Sequence, residues 1–318
     1  MIEVLDILRL IGGFIYLMLG GDLLVRGALG LSRKTSISPV IVGLTIVAFG
    51  TSAPEFVISV YATATGFSGV ALGNVVGSNI ANILLVLGIP AVINPIVTDT
   101  RSLWKHTVFM VVISIMFVLM ILNGVLSRIE GAILLSALIG MLVFLYKRGT
   151  TLTGVDKKNH SDEFERVLGL PSLVRVAIGF LFLGAILLPL GANLTVDGAT
   201  AIAKRMEISD VVIGSTVVAL GTSLPELATT VIAAFHRSSD MALGNVVGSN
   251  VFNILLVGGA SAMVAPLPAP PAFLGFDVWV MLGSALVMLA FVLLHGRINR
   301  ISGAIFFTAY VGYVTYLI

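Results

Sequence analysis

The sequence predicts an all-α integral membrane protein of ten transmembrane helices, arranged as two inverted five-helix repeats with broken helices at its centre. Three observations predict this class: an apolar composition, ten apolar runs and an internal repeat. Of 318 residues, 58% are apolar and only 11% are charged, whereas roughly a quarter of the residues in a soluble domain are charged. A soluble enzyme and a nucleic-acid-binding domain are therefore excluded, and the alternation of a membrane β-barrel is absent.

Ten apolar runs lie between turn and charge signals, and a spanning helix takes about 20 apolar residues. The joints are short except for one polar stretch that is too small to form a domain. We therefore divide the chain into a first repeat (1–147), a linker (148–171) and a second repeat (172–318). The ten runs are 7–31, 37–66, 70–93, 105–123, 128–147, 172–205, 208–236, 241–264, 276–295 and 300–317.

The basic residues are distributed unevenly between the two sides that these spans define. Of the 18 Lys and Arg residues, fourteen follow odd-numbered spans and four lie on the side that carries both termini. Because basic residues accumulate on the cytoplasmic side, we expect both termini outside the cell, in the extracellular space or periplasm. The linker would then be cytoplasmic, in a multi-pass protein of the cell (inner) membrane.

The chain contains an internal repeat at a constant offset, which makes Val42 equivalent to Ile213. Residues 37–88 and 208–259 share 30 identities in 52 positions without a gap. Because each half contains five spans, the second half enters the membrane from the opposite side, which relates the halves by a two-fold axis in the membrane plane. Inverted repeats of this kind are typical of alternating access.

One span in each half is interrupted by the motif G-T-S-x-P-E, at 50–55 and 221–226. Pro54 and Pro225 cannot donate to the carbonyl four residues earlier, so the helix should break there. Irregular backbone at membrane depth is tolerated only where it is buried in protein or lines a polar cavity. The groups expected to face that cavity are the carbonyls of Ala48 to Gly50 and Ala219 to Gly221, and the hydroxyls of Thr51, Ser52, Thr222 and Ser223.

The same motif places a glutamate, Glu55 or Glu226, within each interrupted span. A charge at the bilayer centre costs at least about 2.5–3.5 kcal/mol, and no Lys or Arg lies within the four spans that carry the repeat. Two such carboxylates close together would repel each other unless a cation lay between them. The sequence therefore predicts a cation site.

Polar residues spaced four apart follow in each half and share one helix face. All are oxygen ligands, which suit hard cations: Ca²⁺ accepts six to eight oxygens in irregular geometry, and Na⁺ is similar in size with half the charge. The alternative role for the asparagines is hydrogen bonding between helices. The ligand face comprises Asn74, Ser78 and Asn82 and their equivalents Asn245, Ser249 and Asn253; Asn74, Asn245, Gly50, Pro54, Gly221 and Pro225 are interpreted as pore-lining or structural.

Together with G-N-V-V-G-S-N at 73–79 and 244–250, these motifs resemble the paired repeats of the cation/calcium exchanger superfamily, and most closely its sodium/calcium exchanger branch. The resemblance implies a secondary antiporter, not an enzyme, that exchanges Na⁺ for Ca²⁺ by alternating access. Spans one and six would slide across the other eight. Both ions would be transported substrates, with no cofactor and no obligatory protein partner.

The resemblance also implies the ligands, with Glu55 and Glu226 as central groups shared by both ions. Potassium-dependent relatives carry an aspartate at the position of Asn253, so we expect no K⁺ requirement. The other implied ligands are the side chains of Thr51, Ser52, Ser78, Thr222, Ser223 and Ser249 and the carbonyls of Ala48 and Ala219.

Three alternative functions stay open. A carboxylate pair that binds cations also binds protons, which allows an H⁺/Ca²⁺ antiporter, although the G-N-A-x-E motifs of that branch are absent. A cation channel usually builds its pore around an axis normal to the membrane. An intramembrane hydrolase needs a nucleophile with its base, for which only Ser52 beside Glu55 is available.

Asp22 and Arg26 lie one helical turn apart in the first span, away from these motifs. We expect them to form an ion pair near the span end.

Overall fold

The structure is a computed structural model that describes residues 3–35, 37–97, 100–149, 169–208, 219–295 and 297–317. Among these residues, seven helices are long and apolar enough to cross a membrane, and a bent helix pair would make an eighth span. The chain is thus an α-helical, multi-pass membrane protein. Most of the predicted linker and the first part of the predicted seventh span lie outside the described residues.

The described helices are numbered here in chain order, and three of them contain a π-helical turn. These turns are Gly43–Val47 in α2, Asn82–Val86 in α4 and Asn253–Gly258 in α10. The helices are α1 (Val4–Thr35), α2 (Pro39–Thr51), α3 (Ala53–Ala64), α4 (Ser68–Ile93), α5 (Thr100–Ile121), α6 (Arg128–Gly149), α7 (Val174–Arg205), α8 (Ala219–Gly221), α9 (Leu224–Phe235), α10 (Ser239–Val264), α11 (Pro271–Gly275), α12 (Asp277–His295) and α13 (Arg300–Leu317).

Two short antiparallel ladders join the ends of these helices. Strand β1 (Ile96–Val97) pairs with β4 (Arg297–Ile298), and β2 (Val125–Leu126) pairs with β3 (Leu267–Pro268). Each ladder therefore connects a strand from the first half of the chain to one from the second half. Helices α3 and α9 begin at equivalent positions of the sequence repeat, as do α4 and α10, so the repeat extends to local structure.

Burial separates the central helices from the peripheral ones. The apolar windows of α4 and α10 are 78% and 83% buried, whereas those of α1 and α7 are only 28% and 22% buried. Because lipid covers an apolar surface as well as protein does, low burial on such helices indicates a position at the edge of the bundle. The predicted ligand positions on α4 and α10 therefore belong to the core.

Helices α1 and α7 pack against each other in antiparallel orientation along glycines spaced seven apart. A Cβ atom on Gly20 would lie 3.0 Å from the backbone nitrogen of Leu188, and one on Gly184 would lie 2.7 Å from the carbonyl oxygen of Gly20. Such distances leave no room for a side chain, so glycine permits the close approach of the two backbones. The spaced glycines are Gly13, Gly20 and Gly27 on α1 and Gly184, Gly191 and Gly198 on α7.

Candidate cation site

Both G-T-S-x-P-E motifs form a bend between two helices. The axes of α2 and α3 differ by 45°, and Ser52 between them leaves helical geometry with φ −84° and ψ 4°. Ser223 has nearly the same dihedral angles, −88° and 1°, between α8 and α9. Pro54 and Pro225 lie in the first turn of α3 and α9, where a missing N–H costs no hydrogen bond within these two helices. The predicted helix break is confirmed.

The backbone at the first bend differs from the expectation in one respect. The carbonyl of Ala48 is not freed, because it accepts a hydrogen bond from the backbone N–H of Ser52 at 2.9 Å. The Thr51 hydroxyl also lies 3.3 Å from it. Only Pro54 lacks an N–H, so the proline deprives Gly50 alone of a donor four residues later. Ala219, the equivalent of Ala48, lies in α8, at the start of a described range.

Glu55 and Glu226 lie in the first turns of α3 and α9, and each is only 1% exposed. The hydroxyl of Ser52, three residues before Glu55, lies 3.3 Å from Glu226 Oε1, so both glutamates lie beside the same bend. No Lys, Arg or His of the described ranges forms an ion pair with either one. The molecule thus holds two buried acidic groups side by side without a cationic side chain to neutralise them.

Most of the carboxylate oxygens also lack a hydrogen-bond donor. Glu226 Oε1 accepts from the hydroxyl of Ser52 at 3.3 Å. Glu226 Oε2 and both carboxylate oxygens of Glu55 are buried with no partner among the described residues. Buried polar atoms are normally hydrogen-bonded, and an exception calls for a missing ion or water. These three oxygens are therefore available to a cation.

The Thr51 hydroxyl lies at a junction of oxygen atoms. It is 3.3 Å from the carbonyl of Ala48, from Asn245 Oδ1 and from the hydroxyl of Ser249. One hydroxyl has a single proton, so it donates to only one of these neighbours at a time. The cluster is therefore richer in oxygen lone pairs than in protons, as expected of a site that binds cations.

The walls of α4 and α10 add further unsatisfied atoms. Asn253 Nδ2 donates to the hydroxyl of Ser78 at 3.0 Å, which links the two central helices. Asn253 Oδ1, both amide atoms of Asn82 and the hydroxyl of Ser223 are buried without a partner in the described part of the chain. Contacts among the predicted ligand side chains thus join Thr51 to Ser249, Ser52 to Glu226 and Asn253 to Ser78.

Asn74 and Asn245 connect neighbouring helices. Asn74 Nδ2 donates to Ser59 Oγ at 2.9 Å and to the carbonyl of Glu55 at 3.3 Å. Asn245 Nδ2 donates to Thr230 Oγ1 at 3.0 Å, which is the equivalent contact in the second half. Sequence reasoning missed Ser59 and Thr230, although a hydroxyl at equivalent places in both halves was a signal that could have found them.

A cavity of about 430 Å³ lies beside the bends, bordered by α3, α7, α8 and α9. It reaches Thr222, which precedes the bend residue Ser223. Its lining is mostly apolar, with few polar side chains. The lining residues are Ala53, Pro54, Val57, Ile58, Pro189, Ala192, Asn193, Val196, Asp197, Gly221, Thr222 and Pro225.

Comparison with models of protein families identifies the family of this chain. The model of the family described as sodium/calcium exchanger protein matches residues 5–147 and again residues 176–318. The chain belongs to the sodium/calcium exchanger protein family. The resemblance inferred from the two motifs is confirmed.

Individual relatives of this exchanger-family chain match over nearly its whole length. It is 38% identical to the putative antiporter CaxA of Alkalimonas amylolytica, over 95% of each chain. It is 31% identical to the sodium/calcium exchanger MaX1 of Methanosarcina acetivorans, over 98% of each chain. A solved structure of the sodium-calcium exchanger NCX_Mj, soaked with zero Na⁺ and Ca²⁺, superposes with a TM-score of 0.84 at 33% identity and covers 100% of both chains.

This exchanger-family chain also contains an ion cluster on α1 and at the end of α9, outside the predicted ligand set. Arg26 Nε lies 2.8 Å from Asp22 Oδ2, so the predicted ion pair is confirmed. His236 Nε2 lies 2.9 Å from Asp22 Oδ1 and adds a contact between α1 and the end of α9. Sequence reasoning missed His236, because it lies 214 positions beyond Asp22 and outside any motif.

Proposed function

We propose that this protein is a secondary active antiporter that exchanges Na⁺ for Ca²⁺ across the membrane by alternating access. The observation that carries the proposal is the pair Glu55 and Glu226, buried side by side with three unpartnered oxygens and no cationic neighbour among the described residues. A buried charge of this kind is costly unless an ion compensates it. Membership in the exchanger family supports the choice of ions.

The charge of the pair suits competition between the two ions. Two carboxylates carry a charge of −2, which one Ca²⁺ or two Na⁺ neutralise. The remaining ligands would be neutral oxygens, and a low ligand charge keeps Ca²⁺ binding weak enough for release. Each ion therefore displaces the other from the same oxygens, and that displacement couples the two fluxes.

The proposed ligands are those predicted from the sequence, and the contacts of Thr51 with Ser249, Ser52 with Glu226 and Asn253 with Ser78 support part of the set. Ala48 remains a candidate through the second lone pair of its carbonyl, since one accepts the N–H of Ser52. Asn74 and Asn245 are proposed to hold the helices in place. The ligand set is Glu55, Glu226, Thr51, Ser52, Thr222, Ser223, Ser78, Ser249, Asn82 and Asn253, with the carbonyls of Ala48 and Ala219.

We also propose the predicted membrane arrangement: ten spans, in two inverted repeats (1–147 and 172–318) joined by the linker 148–171. The equivalent bends at Ser52 and Ser223 support it, as do the two ladders that cross between the halves. The charge bias places both termini outside and the linker in the cytoplasm. The protein would lie in the cell (inner) membrane.

The neutral amides at the site support exchange without K⁺. Asn82 and Asn253 are both 1% exposed, and their side-chain oxygens have no partner in the described ranges. An aspartate in place of either would add a negative charge that a further cation could neutralise. We therefore propose that transport needs no K⁺.

Reconstitution tests the ion assignment. Vesicles loaded with Na⁺ and diluted into Na⁺-free medium should accumulate Ca²⁺, with the same rate whether or not K⁺ is present. Glu55→Gln and Glu226→Gln should each reduce this uptake to the level of empty vesicles, because each removes a charge that the ion must balance. Glu207→Gln is the matched control, since Glu207 is exposed just beyond the end of α7.

Two results would overturn these assignments. Full uptake in both glutamate variants would show that the ions bind elsewhere. Uptake that ignores the Na⁺ gradient but follows an imposed pH gradient would replace Na⁺ with H⁺ as the coupling ion. Stimulation by K⁺ would contradict K⁺ independence alone.

A further inference from the structure

Asp197 is the one ionisable side chain among the described residues that line the cavity. It lies on α7, in the last turns before the helix ends at Arg205, and Asn193 lies one turn earlier on the same side. Both side chains are exposed. The cavity leads from them to Thr222, a proposed ligand at the bend.

Asp197 differs from most acidic residues on the long helices because it has no partner among the residues that the structure describes. Asp22 pairs with Arg26, Asp6 pairs with Arg205, and Asp277 accepts from Tyr313. No hydrogen bond or ion pair joins Asp197 to another side chain in the described part of the chain. A lone carboxylate within a span is costly and marks an ion pathway unless something neutralises it.

We propose that Asp197, assisted by Asn193, forms a vestibule site that holds a hydrated cation in the cavity before it moves on to the exchange site. The proposal rests on the function proposed above and adds a residue outside the ligand set. One carboxylate and one amide oxygen are too few to replace the six to eight oxygens around Ca²⁺. The ion therefore keeps most of its water, and Asp197 acts by raising the local cation concentration.

The first half of the chain does not repeat the lone carboxylate, so this feature belongs to one end of the proposed ion pathway. In the sequence repeat, Asn193 and Asp197 are equivalent to Asp22 and Arg26, which form the ion cluster with His236. Arg26 balances the charge of Asp22, whereas Asp197 has no cationic partner in the described part of the chain and therefore attracts a cation. Ion affinity should therefore depend on Asp197 only from the side to which the C-terminal half of α7 points, the outer side in the proposed arrangement.

Transport kinetics distinguish this role from a structural one. Asp197→Asn should raise the apparent KM for Ca²⁺ added at that side roughly three- to tenfold at low ionic strength, with Vmax unchanged. The difference should shrink towards unity in about 0.3 M choline chloride, because salt screens the attraction. Asp197→Glu keeps the charge and should restore the wild-type KM. Glu207→Gln removes a charge near the same helix end but outside the cavity, and should change neither parameter.

The possible results separate the two proposals. An unchanged KM in Asp197→Asn, alongside Na⁺-driven uptake by the wild type, would overturn the vestibule site and leave the antiporter intact. A fall in Vmax that persists at every salt concentration would assign Asp197 a structural role instead. Absence of Na⁺-driven uptake in the wild type would overturn the proposed function and the vestibule site with it.

Discussion

The two halves of the chain place nearly the same elements around the site, yet their equivalent contacts differ. On α1, Asp22 binds both Arg26 and His236, which holds α1 against the end of α9. At the equivalent places on α7, Asn193 and Asp197 face a cavity instead. The first half therefore has charged contacts at the positions where the second half has a cavity, and these two places are called here the joined mouth and the open mouth.

The same asymmetry appears at the centre. Ser52 donates to Glu226, whereas the hydroxyl of Ser223 and both carboxylate oxygens of Glu55 have no partner within the described ranges. In the proposed antiporter, two-fold related halves would not make both sets of contacts at once while the pathway opens to one side only. The repeat would then allow two equivalent arrangements, of which the observed contacts represent one.

The largest expected effect compares two equivalent residues, Val57 and Ala228. Val57 lines the cavity and is 62% exposed, whereas Ala228 is 7% exposed and packs against Gly21 of α1. The chain contains no cysteine, so Val57→Cys and Ala228→Cys each introduce a single thiol. If the opposite arrangement is a minor state of roughly 0.1–10%, Ala228→Cys should react about 10- to 1,000-fold more slowly with a water-soluble thiol reagent.

The measurement uses purified protein in detergent, where reagent reaches both mouths. Mass spectrometry follows the modified fraction over time, and the denatured variants provide the intrinsic rate of each thiol. Equal rates in the folded protein would contradict the difference between the two mouths.

The second prediction tests whether stability and transport require close contact between α1 and α7. A Cβ atom on Gly13 would meet the backbone of Gly191 and Thr195 on α7, whereas one on the adjacent Gly12 has no described atom within 4 Å. Gly13→Val should therefore destabilise the protein by about 1–3 kcal/mol through overpacking. Gly12→Val should leave stability nearly unchanged.

Thermal unfolding in detergent and Na⁺-driven Ca²⁺ uptake would both be measured for these two variants. Only Gly13→Val should lose melting temperature and transport. Similar losses in both variants would indicate a general intolerance of valine in α1 and would contradict the proposed role of the close helix contact.

The features that could be predicted from the sequence depend on short-range interactions, and the contact that could not be predicted depends on a long-range one. The bends, the buried glutamates and the ligand faces were predictable, because they depend on proline chemistry and on spacing within one helix. The contact of His236 with Asp22 was not, since it joins residues far apart in the chain. The bonded carbonyl of Ala48 was mispredicted because a proline removes one donor and leaves the neighbouring hydrogen bonds in place.

The sequence also could not predict that one half has an ion cluster where the other half has a cavity. A sequence repeat gives both halves the residues for the same contacts, but it does not show which half makes each contact. The seven-residue glycine spacing on α1 and α7 was readable in the sequence, whereas its meaning required knowing that these two helices face each other in antiparallel orientation.

The smallest expected effect concerns the ion cluster of Asp22, Arg26 and His236. Asp22→Asn removes the charge that attracts Arg26 and His236, in a half-buried setting where a pair contributes about 0.2–1 kcal/mol. In protein that also carries Ala228→Cys, this should increase the rate of thiol modification roughly two- to fivefold, because the joined mouth opens more often.

Glu3→Gln is the informative control for this change. It removes an ion pair of similar geometry, since Glu3 lies 2.7 Å from Arg205. That pair joins the residue preceding α1 to α7, whereas Asp22 and His236 join α1 to α9. If α1 and α7 move together, the contact of Glu3 with Arg205 is the same in both arrangements. Its loss then leaves the rate of thiol modification unchanged. An equal increase in both variants would mean that α1 and α7 do not move as one unit.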